Sequence, residues 1–72
     1  MNELKAFREA RGLSQTQLAV RAGLSNSTVS EFERGERKPW PRARHALAEA
    51  LGVRENVLFP GMADETTPSS KR

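Results

Sequence analysis

The segment from Gly23 to Pro39, GLSNSTVSEFERGERKP, combines short hydrogen-bonding side chains with charged ones. Val29 and Phe32 lie three residues apart within it, which is the spacing of a narrow buried stripe on a helix. Such a helix turns its remaining polar side chains outward: Asn26, Ser27, Ser30 and Glu31. In the DNA major groove, asparagine pairs bidentately with adenine, serine adapts to several base edges, and glutamate accepts from cytosine. These residue types therefore predict contacts with base edges.

Basic residues lie at the end of this helix and directly after it. Arg34, Arg37 and Lys38 stand where the flanking DNA backbone would pass if the helix lay in the groove. Phosphate contacts of this kind fix the register of a protein on DNA and supply salt-sensitive affinity. Two alternatives stay open: Glu31 has a competing ion-pair partner in Arg34, and Arg37 and Lys38 also suit a solvated loop.

Short helices bounded by caps and turns must position these side chains. Leu4, Phe7 and Ala10 recur at helical spacing, and Gly12 can end this first helix in a left-handed conformation. Ser14 offers an N-cap oxygen to a second helix, which ends at a glycine that permits a tight turn. The second helix is expected to bury small and apolar side chains on one face: Leu18, Ala19 and Ala22.

Similar capping signals set the predicted starts and ends of the later helices. Ser25 is the next N-cap candidate, and the third helix is predicted to run to about Arg34 and to end at Gly35. A fourth helix is predicted over residues 41–51, because proline suits a first helical turn and a glycine follows Leu51. Residues 54–59 can form a last short helical turn that closes the core. With few β-branched residues and no lasting period-two alternation, the sequence predicts an all-α fold.

Composition limits the class of protein. The chain has 72 residues, with 12 Lys and Arg against 9 Asp and Glu, and its net charge of +3 favours polyanionic partners. One domain is predicted over residues 1–60, followed by a disordered polar tail over residues 61–72, where apolar content falls away. No apolar run is long enough to cross a membrane and no signal-peptide pattern opens the chain. We therefore expect a cytoplasmic protein, associated with the nucleoid when bound to DNA.

Catalytic and metal-binding chemistry finds little support in the sequence. Serines are plentiful, but neither a cysteine nor a second histidine accompanies His45 to build a nucleophile–base pair. His45 also lacks companions at metal-ligand spacing and is interpreted as a surface or half-buried helix residue. We expect no enzyme activity, no metal, no cofactor and no small-molecule effector.

The run LSQTQLAVRAGLSNSTVSEFERGERKP, followed by ALAEALGV, resembles the lambda-repressor-like helix-turn-helix family, also called the xenobiotic-response-element family. The resemblance covers about residues 3–59 and implies a compact bundle of five helices. It implies that helices 2 and 3 form the helix-turn-helix and that the third helix, at about residues 26–34, enters the major groove. The base-reading residues are then expected to be Asn26, Ser27, Ser30 and Glu31. The residues expected at the DNA backbone are Ser14, Gln15, Ser25, Thr28, Arg34, Arg37 and Lys38.

The resemblance also implies particular packing. Arg8 and Glu33 fall where some members carry an ion pair that links the first and third helices, which would be worth under about 1 kcal/mol if exposed. Trp40 and Pro41 replace a small capping residue and an aliphatic residue, and Arg44 replaces a buried leucine. We expect Trp40 to fold over that gap while Arg44 snorkels beside it toward water.

Together these features predict a sequence-specific, double-stranded DNA-binding transcriptional regulator, with repression as the favoured mode. A homodimer would read a pseudo-palindrome whose half-sites lie about 34 Å apart. Its dimer surface is expected around Val57, Leu58 and Phe59, unless these residues complete the core. The alternative is a protein-interaction module, antitoxin-like or an adaptor, which is favoured by three acidic residues: Glu31, Glu33 and Glu36. A membrane-surface binder is not expected, because no helix pairs a broad apolar face with a basic one.

Overall fold

The computed structural model describes residues 2–60, which form five α-helices joined by short turns. In chain order they are α1 (Leu4–Ala10), α2 (Gln15–Ala22), α3 (Asn26–Arg34), α4 (Pro41–Leu51) and α5 (Glu55–Leu58). No strand occurs in this range, and the predicted all-α, five-helix architecture is confirmed. The predicted tail, residues 61–72, lies outside the described residues. None of the helices within residues 2–60 is long and apolar enough to span a membrane.

Local hydrogen bonds and one glycine define the unit formed by α2, the following turn and α3. The Ser14 hydroxyl accepts the Gln17 N–H at 3.0 Å while the Gln17 side chain accepts the Ser14 N–H at 2.8 Å, which is a reciprocal capping box. Gly23 has a φ of 70°, a conformation that glycine adopts without steric penalty. The chain therefore turns tightly enough for the Leu24 N–H to reach the Ala19 carbonyl at 2.8 Å.

The core lies where α2 packs against both α3 and α4, with α1 on α3 and α5 on α4. Its buried apolar residues are Leu4, Leu18, Ala19, Val29, Phe32, Ala43, Leu47, Ala48, Leu51, Leu58 and Phe59. Val29 and Phe32 are fully buried, so the predicted inward stripe of the third helix is confirmed. The predicted stripe of the first helix is partly wrong, because Ala10 is exposed and the second buried residue of α1 is Arg8.

The end of the described chain completes the core. Leu58 and Phe59 are buried, and the Leu58 carbonyl accepts the Glu3 N–H at 3.0 Å, which ties α5 to the start of α1. Of the two roles left open for Leu58 and Phe59, the structure supports completion of the core, because other residues of the same chain already cover their side chains. Val57 is the only exposed residue of the three.

The start of α4 departs from the expected packing. The rings of Trp40 and Phe32 meet edge to face, with centroids 5.5 Å apart, while part of the indole stays exposed. Arg44 is only 3% exposed, and its Nη1 donates to the Pro39 carbonyl at 3.1 Å. The Arg44 Nε lies 3.5 Å from Glu55 Oε1 but makes no hydrogen bond. The expectation that Arg44 snorkels to water is wrong, because these oxygen atoms hold the guanidinium inside the protein.

Candidate nucleic-acid interface

The outer face of α3 is polar along its whole length. Asn26 and Ser27 are exposed in the first turn, and Ser30 and Glu31 are half-buried one turn later. The two apolar residues of α3 are both buried. The face that remains therefore offers hydrogen-bond donors, acceptors and charges, as base-edge recognition requires.

Ser25 and Thr28 organise the start of α3. The Ser25 hydroxyl accepts the Thr28 N–H at 3.1 Å and lies 2.8 Å from Thr28 Oγ1, so the two hydroxyls are hydrogen-bonded to each other. The N–H groups of Asn26 and Ser27 belong to the first turn, whose donors have no partner within a helix. Such N–H groups attract anions, including phosphate. The two hydroxyls predicted to contact the DNA backbone thus also build the turn that presents these donors.

Ion pairs order the charged side chains at the end of α3. Arg34 Nη2 donates to Glu36 Oε1 at 2.9 Å, and Arg34 also donates to the Ser30 hydroxyl. The hydrogen bond from Arg34 lowers the pKa of Glu36 below its ordinary value, and the same bond raises the pKa of Arg34. Glu31 Oε1 pairs with Arg37 Nε at 2.8 Å. The sequence offered Arg34 as the ion-pair partner of Glu31. In the structure the partner is Arg37, which lies beyond the end of α3.

Glu33 lies inside the protein and links three helices. Its carboxylate accepts from Arg8 Nε at 2.6 Å, from Arg8 Nη2 at 3.3 Å and from Gln15 Nε2 at 2.9 Å. Arg8 also donates to the Leu13 carbonyl at 2.7 Å, and the hydrogen bond to Glu33 raises the pKa of Arg8. Only 10% of the Arg8 side chain and 4% of the Glu33 side chain are exposed, so the estimate for an exposed, weak pair does not apply.

The residues predicted to contact DNA fall at two places. One place is α3 and the residues directly after it, which include Asn26, Ser27, Ser30, Glu31, Arg34 and Arg37. The other place is the start of α2, with Ser14 and Gln15. Lys38 is exposed and, with Arg37, lines a cavity of about 220 Å³ at the end of α3. Within residues 2–60, no cluster of three or more potential metal ligands occurs.

Two polar partners in this region were missed by the sequence reasoning. Gln17 completes the Ser14 cap, and its signal was available as a serine followed three residues later by glutamine. Glu36 is the partner of Arg34, which lies only two residues before it. Helical spacing rules do not predict that pair, because Gly35 ends the helix between the two residues.

Comparison with known proteins adds a family and several relatives. The family described as "Helix-turn-helix domain" matches residues 2–58. The chain is 41% identical over 56 residues to an uncharacterized HTH-type transcriptional regulator of Mycobacterium tuberculosis, a match that covers 78% of this chain and 40% of the relative. It is 38% identical over 55 residues to the immunity repressor protein of Bacillus phage phi105, covering 76% of this chain and 38% of the relative. The chain thus spans about two fifths of the length of these curated relatives.

A solved structure is also similar in fold. The restriction-modification controller protein C.AhdI from Aeromonas hydrophila matches with a TM-score of 0.74 and 41% sequence identity. The match covers 78% of this chain and 85% of the controller protein. At this identity and coverage, the similarity extends over most of the five-helix unit.

Proposed function

Because the chain belongs to the helix-turn-helix domain family, we propose that it is a sequence-specific, double-stranded DNA-binding regulator of transcription that acts as a repressor. The observation that carries this proposal is the all-polar outer face of α3, which is held in place by two buried apolar residues. The names of the relatives, HTH-type transcriptional regulator and immunity repressor, support it. The protein would bind operator DNA within the nucleoid and would not act as an enzyme.

In the proposed complex, α3 lies in the major groove. Base edges are read by Asn26, Ser27, Ser30 and Glu31, and the DNA backbone is contacted by Ser14, Gln15, Ser25, Thr28, Arg34, Arg37 and Lys38. Gln15 is compatible with this role although it is bonded to Glu33, because its amide has a second hydrogen for a phosphate oxygen. The same logic holds for Arg34, whose guanidinium has five N–H donors.

We also propose that two chains bind one operator. A helix-turn-helix dimer reads half-sites about 34 Å apart, and its own twofold symmetry predicts a pseudo-palindromic operator. Leu58 and Phe59 are unavailable for the dimer contact, which leaves Val57 as the exposed apolar residue of α5.

The alternative of a protein-interaction module depended on three acidic side chains on α3 and directly after it. Glu33 is buried, and Glu31 and Glu36 are each paired with an arginine. The three carboxylates therefore do not form a free acidic surface, and DNA remains the partner that we propose.

Titration of the isotope-labelled protein with duplex DNA, followed by amide chemical shifts, tests the proposal. Duplexes selected from a random pool supply the operator. We expect shifts confined to Ser14, Gln15 and residues 25–38, and an affinity that falls steeply with salt. If duplex DNA leaves these residues unmoved at low salt, the proposed function is wrong.

Replacing Ser27 by alanine should relax the preference at one base position. A hydroxyl that touches one base edge contributes to discrimination there, while non-specific binding comes from phosphate contacts. Alanine favours the helix more than serine does, so the fold should be unaffected. Affinities for the operator and its single-base variants measure the effect, and a uniform loss across all sequences would show that Ser27 contacts the backbone instead.

Replacing Lys38 by alanine should weaken binding to all duplexes alike and reduce the salt slope by about one unit or less. The reason is that a phosphate contact carries no base information. Binding isotherms at several salt concentrations measure the slope. Lys5→Ala is the control, because Lys5 is an exposed lysine on α1 and its loss changes the net charge equally. Equal slopes for the two variants would contradict the assignment of Lys38.

A further inference from the structure

We propose that Arg37 is a positioning residue for the base-reading carboxylate of Glu31 and thereby sets a base preference of the protein. This role is additional to the backbone contact proposed above for Arg37, because a phosphate contact alone carries no base information. The inference rests on the proposed DNA-binding function and identifies which contact within the same site selects the base.

The backbone after α3 brings Arg37 beside Glu31. Gly35 ends the helix with a φ of +76°, and the Glu36 N–H bonds to the Glu31 carbonyl at 2.9 Å. This is the return of the chain that follows a left-handed helix cap. Residue 37 therefore lies next to a side chain six positions earlier, and Arg37 Nε reaches Glu31 Oε1 at 2.8 Å.

The loop that carries Arg37 is anchored on both sides. On one side is the Glu36 N–H bond to the Glu31 carbonyl. On the other side, Pro39 is buried, and its carbonyl accepts from the buried Arg44 guanidinium at 3.1 Å. Proline also has a fixed φ, which limits the conformations of this loop further. The Arg37 side chain thus extends from a constrained backbone rather than from a free loop. Pairing with Glu31 therefore costs little additional backbone entropy.

The chemistry of Glu31 explains why it needs a cation beside it. The side chain is 34% exposed on the outer face of α3, where DNA phosphates would surround it. An ionised carboxylate near these phosphates is repelled, and an adjacent guanidinium offsets that repulsion. Arg37, at 53% exposure, occupies that position and leaves the second oxygen, Oε2, for the base.

The kind of base follows from the same chemistry. A carboxylate accepts hydrogen bonds and cannot donate them. In the major groove only cytosine, through N4, and adenine, through N6, present an amino donor. Glu31 held by Arg37 therefore selects one of these amino bases at one position of the half-site and disfavours guanine and thymine there.

Matched alanine variants of the neighbouring residues Arg37 and Lys38 test the inference, because each removes one positive charge. Their affinities are measured for the selected operator and for all single-base variants at fixed salt. Lys38→Ala should lower every affinity by the same factor. Arg37→Ala should lower discrimination at one position by about fivefold and change it elsewhere by less than about twofold. Glu31→Ala should lose discrimination at that same position, and the double variant should lose no more than either single one.

The outcomes separate this inference from the proposed function. If the natural sequence binds no duplex at low salt, the proposed function fails. If DNA is bound but Arg37→Ala weakens all sequences uniformly, or acts at a different base from Glu31→Ala, Arg37 is not a positioning residue. Arg37→Gln repeats the test with a shorter, uncharged side chain whose amide nitrogen takes the chain position of the arginine Nε, and thermal unfolding of each variant verifies that it is folded.

Discussion

Replacement of Glu33 by alanine is expected to destabilise the fold by about 3–5 kcal/mol, because it leaves a buried arginine charge without its partner. Glu33 accepts three hydrogen bonds, two from Arg8 and one from Gln15, and its side chain is 4% exposed. Deprotonation cannot relieve the uncompensated charge, since an arginine stays ionised in proteins. The free energy of unfolding of a small domain can be as low as about 5 kcal/mol, so this loss would remove most of it.

Urea unfolding followed by circular dichroism measures this effect. Glu49→Ala is the matched control: its carboxylate is 72% exposed beside His45, and its loss should change stability by no more than about 1 kcal/mol. The double variant Arg8→Met with Glu33→Leu should recover much of the loss, because buried ion pairs are often replaceable by apolar residues of similar volume. A Glu33→Ala variant as stable as Glu49→Ala would show that the pair contributes nothing in solution.

The helix boundaries were predictable because the signals that set them are local. Ser14 and Ser25 cap helices with bonds to residues three positions away. Gly23 and Gly35 end helices through their own positive φ. Such interactions depend on short stretches of sequence and can be recognised there. The polar outer face of α3 was also predictable from the sequence, because two apolar residues three positions apart identify the buried side of the helix.

Long-range pairing was not predictable in the same way. The partner of Glu31 is six residues away, and it is reached only because the chain reverses after α3. The environment of Arg44 depends on Pro39 and Glu55, which come from a loop and from another helix. Leu58 is the last residue of α5, and Phe59 follows it. A helix of four residues is too short for the periodicity of its sequence to show which face is buried. These outcomes depend on tertiary packing.

Arg44 is one such residue, and its replacement by methionine is expected to stabilise the fold by about 1 kcal/mol, the low end of the range for replaced buried ion pairs, because the Glu55 side chain that loses its partner is 31% exposed to water. The side chain is buried, its Nε makes no hydrogen bond, and the Glu55 carboxylate is 3.5 Å away. Transfer of the guanidinium from water to this position is unfavourable, and one bond to the Pro39 carbonyl offsets it only in part. Methionine keeps an unbranched stem and fills irregular space without a charge. Urea unfolding measures the change.

Stability and DNA recognition should respond to Arg44→Met in opposite directions. The Arg44–Pro39 bond anchors the loop that carries Arg37, so its loss should free the loop and reduce the base discrimination assigned to Glu31, by about twofold. Arg42→Met is the control, because Arg42 is an exposed arginine in the first turn of the same helix. It should leave stability within about 0.5 kcal/mol of the natural sequence. If Arg44→Met is the less stable of the two variants, the hydrogen bond and ion contact of Arg44 outweigh the desolvation of its charge.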